Sequence, residues 1–351
     1  MAEAHSSQSR PDPLGVQQFE IIEFASPEPE KLHALFRSLG FTAVAKHRDQ
    51  PVTLYRQGDI DFLVNEIPDS FASRFAERHG PCCTGFGIRV ADPEKALGRI
   101  TAGGGKPFEG EKLPLDCACI EGIGGSVLYL TGGRDDVERH FEFEQGVERN
   151  PAGVGLTFID HLTHNVHYGN MGQWAEFYEK HFGFYQVRYF DIKGQQTGLK
   201  SQAMTAPNGA ISIPINESED PKSQINEYLD QYNGEGVQHI ALYTDRIYDT
   251  VEQLHASGID FLDTPDTYYE VVDERIPNHG EDVERMRRNR ILIDADPNDP
   301  SKQLLQIFTQ TNIGPIFFEI IQRKGNEGFG EGNFTALFEA IERDQQKRGV
   351  L

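Results

Sequence analysis

The stretch Ile159-Asp160-His161-Leu162 begins a strand–helix pattern that the chain has already used once, at Phe19-Glu20-Ile21-Ile22-Glu23-Phe24. Each stretch is followed by a helical segment, over 29–39 in the first half and about 171–181 in the second. Each helical segment ends at a Gly-Phe pair, which is typical of a helix C-cap followed by a return to the core. This shared order indicates an internal repeat.

Both halves then continue with the same kinds of element. Strand-like runs separated by turn residues are followed by a second strand–helix pair and by closing strands. These runs cover 52–55, 60–65, 85–90, 93–102 and 126–130 in the first half, and 202–205, 211–215, 237–243, 247–257, 304–309 and 317–321 in the second. The sequence therefore predicts an α+β protein in which each half is built from two β-α-β-β-β units that curl into an open, barrel-like sheet. We expect a loose tail over 1–14, a first domain over 15–150 and a second over 151–351.

Three polar residues interrupt apolar, strand-like segments of the second half: His161, His239 and Glu319. A lone histidine in such a segment is usually a hydrogen-bonded core residue, but these two lie at matching points of related units. An isolated buried carboxylate is costly unless it is paired or bound to a metal. Two imidazoles and one carboxylate, with the remaining positions open, suit a non-haem Fe(II) that binds substrate and O2 together. The sequence therefore predicts one Fe(II) site per chain.

The first half lacks this set of ligands. Aligning the two halves places Ile21 opposite His161, Phe86 opposite His239 and the region of Tyr129 opposite Glu319. We therefore expect the first domain to be metal-free and structural, and the second to carry the chemistry.

Four further histidines are expected to play no part in the metal site. A surface or loop position is predicted for His164 and His167, and a solvated position for His255 and His279. Odd spacing along a strand places His164 on the face opposite to His161.

Composition excludes several classes of function. The chain of 351 residues has a formal net charge of -22, which disfavours nucleic acid and anionic membranes as partners. Its four cysteines, Cys82, Cys83, Cys117 and Cys119, are too close in sequence for a disulfide framework and are predicted to be reduced core thiols. We found no apolar signal segment or membrane span, so a cytoplasmic protein is expected.

Several short stretches, in this order, resemble the bacterial type of the 4-hydroxyphenylpyruvate dioxygenase family, within the vicinal-oxygen-chelate superfamily. They are Ile159-Asp160-His161, Pro214-Ile215-Asn216-Glu217, Lys222-Ser223-Gln224-Ile225, Gly236-Val237-Gln238-His239-Ile240-Ala241, Leu304-Leu305-Gln306-Ile307-Phe308-Thr309, Phe318-Glu319-Ile320-Ile321-Gln322-Arg323 and Gly328-Phe329-Gly330-Glu331-Gly332-Asn333-Phe334. The resemblance implies two vicinal-oxygen-chelate domains and a C-terminal helix, over 334–348, that lids a cavity.

The resemblance also implies roles for individual residues. The metal ligands would be His161, His239 and Glu319. The catalytic residues, polar groups that line the substrate cavity, would be Ser201, Asn216, Gln224 and Gln238. The substrate-binding residues would be Gln306, Phe308, Phe317, Phe329, Asn333 and Phe334. Neutral amides can bind a phenol in an apolar pocket without adding charge, and phenylalanine walls exclude water.

The activity that the resemblance implies is the conversion of 4-hydroxyphenylpyruvate and O2 to homogentisate and CO2 in tyrosine and phenylalanine catabolism. It proceeds by oxidative decarboxylation, ring hydroxylation and side-chain migration, in a homo-oligomer of two or four chains. Hydroxymandelate synthase, which oxidises the benzylic carbon of the same substrate, is the nearest alternative. A non-catalytic ligand-binding protein on the same scaffold and a ring-cleaving extradiol dioxygenase are the others.

Overall fold

The computed structural model describes residues 10–109, 112–193, 198–333 and 336. Among these residues the strands form two eight-stranded sheets, one in each half of the chain. The α+β class and the repeated β-α-β-β-β organisation are therefore confirmed. The expected lid helix, with Phe334 in it, lies outside the described residues except for Ala336.

The first half has one departure from the simple repeat. Its elements are β1 (Gln18–Ala25), α1 (Pro29–Ser38), β2 (Thr42–His47), β3 (Val52–Gln57), β4 (Ile60–Asn65), α2 (Phe71–His79), β5 (Cys82–Arg89), α3 (Pro93–Ala102), β6 (Cys119–Glu121), a 3-10 turn (Ile123–Gly125), β7 (Val127–Thr131), α4 (Arg134–Glu138) and β8 (Phe141–Phe143). Its sheet order is β6-β7-β5-β1-β4-β3-β2-β8. The last strand, β8, follows the second unit of this half and pairs with β2, at the edge of the sheet opposite to β6.

The second half places its two units side by side. Its elements are β9 (Phe158–Asn165), α5 (Met171–Phe182), β10 (Tyr185–Lys193), β11 (Gly198–Thr205), β12 (Ser212–Glu217), α6 (Gln224–Tyr232), β13 (Gly236–Tyr243), α7 (Ile247–Ala256), α8 (Asp266–Tyr269), α9 (Val272–Arg275), α10 (Val283–Asn289), β14 (Leu292–Asp296), β15 (Asp299–Phe308) and β16 (Phe317–Lys324). The sheet order is β10-β11-β12-β9-β13-β16-β15-β14, so β9 and β13 meet at the centre. None of the helices formed by the described residues has the length and apolarity that a bilayer crossing requires.

The central strand pair of each sheet carries two β-bulges. In the second sheet, the β9–β13 register leaves Asp160 and Gln238 without opposite partners. In the first sheet, the β1–β5 register skips Glu20 and Thr84 in the same way. A bulge adds one residue to one strand and re-aims the neighbouring side chains. Both halves therefore share this local irregularity as well as their topology.

The registers also define which positions of the two halves correspond. His161 pairs with Ala241, and Ala241 pairs with Glu319. The equivalent row of the first sheet is Ile21, Gly87 and Tyr129. Ile21 and Tyr129 are therefore the counterparts of His161 and Glu319, as expected from the sequence.

The third expected counterpart is wrong by one residue. His239 pairs with Thr163, and the matching pair of the first sheet is Gly85 with Glu23, so Gly85 and not Phe86 corresponds to His239. The error arises because the apolar pattern of β5 does not show that Thr84 is the bulged residue.

A buried polar network occupies this region of the first half. Glu23 is fully buried; Tyr129 donates a hydrogen bond to its Oε2 at 2.5 Å, and Asn65 donates to its Oε1 at 2.6 Å. Burial raises the pKa of Glu23 above its ordinary value, against the lowering effect of its hydrogen bonds to Tyr129 and Asn65. Glu23 is thus favoured in its neutral form at the position that Thr163 occupies in the other half.

The first half also packs directly against elements of the second. The carbonyl oxygen of Tyr232, at the end of α6, lies 2.7 Å from Nδ1 of His79, and the Tyr232 hydroxyl donates to the carbonyl of Cys83 at 3.3 Å. The rings of Phe62 and Phe318 lie 6.1 Å apart within one continuous hydrophobic core. The first half therefore supports α6 and β16, two elements that contribute to the site described below.

Helix α6 begins at a standard N-cap. The Ser223 side chain accepts a hydrogen bond from the backbone N–H of Asn226 at 3.2 Å, which satisfies one of the free donors of the first turn. Gln224 is the first helical residue, so this cap fixes where its side chain leaves the backbone.

Three expectations need correction. The loose tail is wrong for residues 12–14, because Leu14 is buried and Oδ1 of Asp12 accepts a hydrogen bond from the backbone N–H of Gly15 at 2.8 Å.

The solvated or surface positions of His164 and His279 are wrong, because both are buried. His164 bonds the Tyr178 hydroxyl at 2.7 Å, and burial lowers its pKa to about 3; His279 bonds Asp273 at 2.9 Å.

Other expectations about these residue types are confirmed. His167 and His255 are exposed. All four cysteines are free thiols. Cys82, Cys83 and Cys119 are buried as expected, and burial raises the pKa of each of these three thiols, whereas Cys117 is only partly buried.

We expect Glu23→Gln to change how stability depends on pH. Because the pKa of Glu23 is raised in the fold, its favourable contribution is complete below its unfolded pKa and is lost as pH rises through its folded pKa. Glutamine keeps an acceptor for Tyr129 but does not titrate. The unfolding free energy of the variant, relative to the unchanged protein, should therefore rise as pH increases above the ordinary pKa of a glutamate.

Urea denaturation at several pH values measures this difference. The matched control is Glu142→Gln, which makes the same change at an exposed position of the same sheet. A difference for Glu23→Gln that stays constant with pH, or falls as pH rises, would contradict a neutral, buried Glu23.

Candidate metal centre

Three neighbouring strands bring the predicted ligands together. His161 comes from β9, His239 from β13 and Glu319 from β16, and these strands are adjacent at the centre of the second sheet. The register places His161 and Glu319 on either side of Ala241, two residues along β13 from His239. Residues two apart on a strand share a face, so all three side chains project to the same side of the sheet.

The geometry of the three ligand atoms fits a single ion. Nε2 of His161 lies 3.3 Å from Nε2 of His239 and 3.2 Å from Oε2 of Glu319, and His239 Nε2 lies 3.4 Å from that oxygen. One point can lie about 2 Å from all three corners of such a triangle, which is the usual length of a metal bond to imidazole or carboxylate. Within the ranges that the structure describes, this is the one group of three metal-type ligands close enough to share an ion.

The other nitrogen of each imidazole is held by the residue before it. Nδ1 of His161 lies 2.8 Å from Oδ1 of Asp160, and Nδ1 of His239 lies 3.0 Å from Oε1 of Gln238. Both acceptors can only receive a proton from Nδ1, so the Nε2 of each imidazole has a free lone pair whenever the ring is neutral. Such outer hydrogen bonds fix the tautomer and ring orientation of metal-binding histidines.

These two acceptors are the two bulged residues of the central strand pair. On a regular strand, neighbouring side chains point to opposite faces. Neither Asp160 nor Gln238 could then reach the imidazole ring of the histidine that follows it. The bulges therefore explain how one residue supplies the metal ligand while the residue before it accepts the hydrogen bond from the Nδ1 of that ligand.

The charge balance of the site also favours a cation. The carboxylates of Asp160 and Glu319 are both buried, and Arg323 is the guanidinium that pairs with Asp160. Burial opposes ionisation of Glu319, but the nearby His161 and His239 lower its pKa to about 2. Burial likewise disfavours a charged His161, but Glu319 and Asp160 raise its pKa to about 9. The proton that His161 holds therefore balances, together with Arg323, the two carboxylates, and a metal cation could take the place of that proton.

A cavity of about 400 Å³ opens above the three ligands. Most of the predicted substrate residues line it: Ser201, Asn216, Gln224, Gln238, Phe308, Phe317 and Phe329. The aromatic residues contact the histidines directly. Phe317 stacks on His239 at 4.9 Å between ring centroids, and Phe329 meets His161 edge-on at 5.3 Å. The cavity is thus apolar around the ligands and polar at a few defined points, as small-molecule sites usually are.

Two predicted substrate residues do not line this cavity. Asn333 is buried, and its Oδ1 accepts a hydrogen bond from the Tyr268 hydroxyl at 2.7 Å. Gln306 is buried beneath Gly330, whose missing Cβ would lie 2.1 Å from Oε1 of Gln306. A predicted third, Phe334, lies outside the described residues.

Several lining residues were not predicted. The same-face rule could have identified Thr163, Leu199, Ala203 and Pro214, because each lies two residues from a predicted one on its strand. Thr163 is the most relevant, since its hydroxyl lies 3.0 Å from Nε2 of His239. Phe190 faces Ser201 across β10 and β11, which only the register reveals. Ile225, Leu262 and Glu331 also line the cavity. Ile225 and Glu331 belong to stretches that carry the family resemblance, whereas no sequence signal indicates Leu262.

Known proteins similar to this chain are consistent with this site. Residues 11–143 match the family described as hydroxyphenylpyruvate dioxygenase, N-terminal, and residues 158–271 match the glyoxalase, bleomycin resistance protein and dioxygenase superfamily. The chain is 54% identical over 350 residues to hemolysin VllY of Vibrio vulnificus, covering 97% of this chain and 98% of that protein. It is 51% identical over 349 residues to a 4-hydroxyphenylpyruvate dioxygenase of Pseudomonas sp. strain P.J. 874, with the same coverage of 97% and 98%.

A solved structure matches over nearly the whole fold. A variant of 4-hydroxymandelate synthase from Streptomyces coelicolor aligns with a TM-score of 0.82 and 25% identity, over 95% of this chain and 100% of that one. Together with the superfamily match, this likeness confirms the predicted pair of vicinal-oxygen-chelate domains.

Removing any one ligand should abolish metal retention. We expect His161→Ala, His239→Ala and Glu319→Ala each to lose a bound divalent metal ion on dialysis, because two ligands at an open site hold such an ion far more weakly than three. The thermal unfolding midpoint without metal should change little, since each side chain faces the cavity. Metal content by mass spectrometry and thermal unfolding measure both effects.

The exposed His167 provides the matched control. His167→Ala should retain metal as the unchanged protein does. Full metal retention by any one of the three ligand variants would remove that residue from the site.

Proposed function

The chain belongs to the 4-hydroxyphenylpyruvate dioxygenase family, and from that premise we propose that it converts 4-hydroxyphenylpyruvate and O2 to homogentisate and CO2. The observation that carries the proposal is the meeting of His161, His239 and Glu319 in the wall of an aromatic cavity. This reaction would serve the breakdown of tyrosine and phenylalanine.

The metal that we propose is one Fe(II) per chain, held by His161, His239 and Glu319. The donor set supports this choice, because two imidazoles and one carboxylate with open positions are typical of non-haem Fe(II) oxygenases. When bound, Fe(II) would supply positions for the keto acid of the substrate and for O2 and would permit their redox chemistry.

The phenylalanines keep the reacting region dry. Phe317 and Phe308 lie against His239, at 4.9 and 6.4 Å between ring centroids, and Phe329 lies against His161 at 5.3 Å. Exclusion of water protects reactive intermediates from side reactions. The three rings therefore shield both imidazoles on the cavity side and would orient the flat ring of an aromatic substrate by packing.

Polar groups on the substrate would meet neutral side chains. Ser201 and Asn216 face each other across β11 and β12, and Gln224 enters the cavity from the first turn of α6. Their hydroxyl and amide groups can both donate and accept, so they would bind a phenol without introducing charge. We propose that these three residues, with Gln238 beside His239, orient the substrate over the metal.

Three further proposals accompany the activity. We divide the chain into a metal-free, structural domain over 15–150 and a catalytic domain over 151–351, because the two sheets fall within these ranges. We propose a dimer or tetramer, as expected for the family. A cytoplasmic location is supported by four free cysteines, since disulfides are rare in reducing compartments.

Hydroxymandelate synthesis is the second candidate, because the fold of one such enzyme matches this one over 95% of the chain. The reactions share the substrate and differ in the carbon that is oxidised. Sequence favours the dioxygenase, at 51% identity against 25% for the synthase.

Product analysis separates the two candidates. We expect incubation of the Fe(II)-loaded protein with 4-hydroxyphenylpyruvate in air to consume one O2 and release one CO2 for each homogentisate formed, with no external reductant. Chromatography of the products and an oxygen electrode measure these quantities, with Glu319→Ala as the inactive control.

Each alternative outcome has its own meaning. Accumulation of 4-hydroxymandelate would replace the proposed reaction by the synthase reaction. Substrate binding without O2 uptake would identify a ligand-binding protein, and a ring-opened product would identify an extradiol dioxygenase.

Loss of a cavity amide should impair turnover without loss of metal. For Asn216→Leu and Gln224→Leu we expect kcat/KM to fall by about 10- to 100-fold, because a buried hydrogen bond of the substrate loses its partner. Steady-state kinetics and metal content measure the two effects. Gln202→Leu is the matched control, since Gln202 lies beside Ser201 on β11 but does not line the cavity. An unchanged kcat/KM would exclude the altered residue from substrate binding.

A further inference from the structure

A buried ion pair lies directly behind the metal ligand His161. Asp160 accepts two hydrogen bonds from Arg323, from Nε to Oδ2 and from Nη2 to Oδ1, both at 2.7 Å. The side chains are only 8% and 19% exposed, so this is not a solvated surface pair. Two parallel bonds from a planar guanidinium fix the orientation of the carboxylate as well as its position.

The carboxylate also supports His161. Oδ1 of Asp160, one of the two oxygens that Arg323 holds, lies 2.8 Å from Nδ1 of the imidazole. Arg323 therefore acts on the ring through Asp160 and does not touch it. An oriented carboxylate behind a ligating histidine sets the angle at which Nε2 faces the metal.

Arg323 also holds the loop that carries the cavity wall. Its Nη1 donates to the carbonyl oxygens of Asn326 and Gly328, at 3.1 and 2.6 Å. The next residue is Phe329, whose ring meets His161 edge-on at 5.3 Å. The guanidinium itself lies 5.7 Å from the centroid of that ring. One guanidinium thus contacts both the support of the ligand and the backbone of the loop over 326–329.

We propose that Asp160 and Arg323 are positioning residues that couple the His161 imidazole to the loop bearing Phe329, so that metal affinity and closure of the cavity wall are set together. The proposal rests on the metal site proposed above but not on the identity of the product. An altered pair would tilt His161 and release the loop in one step, because Nε and Nη2 of the guanidinium hold Asp160 and its Nη1 holds the loop.

The first half contains a natural comparison for this pair. Glu20 occupies the equivalent bulge, and its Oε2 accepts a hydrogen bond from Nε of Arg89 at 2.5 Å. The residue that follows Glu20 is Ile21, which cannot bind a metal. Each half therefore pairs the carboxylate at this bulge with an arginine, from β16 in the second half and from β5 in the first, and the second half alone places the pair behind a ligand.

The test uses Asp160→Asn and Arg323→Lys in the full-length chain, with Glu20→Gln as the matched control. Titration calorimetry with Co²⁺ gives the metal dissociation constant, and amide hydrogen exchange gives the protection of residues 326–330. We expect Asp160→Asn to weaken Co²⁺ binding by about 10- to 100-fold. Both variants should lose protection of the loop, because asparagine is a weaker partner for Arg323 and lysine lacks the planar fork. Glu20→Gln should change neither quantity.

Steady-state kinetics on the same variants adds KM and kcat, which would not change in this way if the pair only stabilised the fold. At saturating metal, the loosened wall should raise KM for the substrate more than it lowers kcat, while thermal unfolding without metal stays near that of the control. Co²⁺ affinity and loop protection that both remain unchanged in Asp160→Asn would overturn the proposal. So would weakened Co²⁺ binding with an unaltered loop, since the two effects would then be uncoupled.

These outcomes do not depend on which reaction the protein catalyses. Calorimetry and hydrogen exchange need no turnover. Formation of 4-hydroxymandelate would change the proposed function and leave this test intact, whereas failure of the unchanged protein to bind Co²⁺ would overturn both.

Discussion

The metal centre depends on two bulges in one pair of strands. A regular strand alternates its side chains between faces, so it can present a ligand or the residue beside it, but not both. The extra residues Asp160 and Gln238 break this alternation next to His161 and His239. Each imidazole therefore receives its support from the preceding residue, with Nδ1 held and Nε2 free. The same irregularity that weakens the ladder creates the ligand geometry.

The duplicated scaffold shows what the bulges do without a metal. The first half keeps both bulges but places Ile21 and Gly85 where the second half has its histidines. Close to these positions, the buried acidic group Glu23 is satisfied by Tyr129 and Asn65. A neutral hydrogen-bonded network thus replaces a charged ligand set at the centre of the sheet. Buried polar groups must be paired in both halves. The first half pairs them through neutral hydrogen bonds, and the second half pairs them through charged groups.

Much of the fold and part of the site could be predicted from the sequence, for identifiable reasons. Repeated strand–helix patterns are local, so the order of elements was predictable, and polar residues in apolar strands revealed His161, His239 and Glu319. Contacts across strands and between halves are not local. The burial of His164, between α5 and the first half, therefore escaped prediction. The placement of Asn333 and Gln306 depends on how the glycine-rich segment after β16 folds, which residue types alone do not determine.

Strand β16 concentrates several functions on one face. Phe317, Glu319 and Arg323 are separated by even numbers of residues, so the alternation of the strand directs all three to the same side. They provide a cavity wall, a candidate metal ligand and the partner of Asp160. A slip of one residue in the β13–β16 register would turn all of them to the opposite face at once. The parallel pairing of β16 with β13, and its antiparallel pairing with β15, hold this register from both sides. The site is therefore as sensitive to the pairing of one strand as to the ligands themselves.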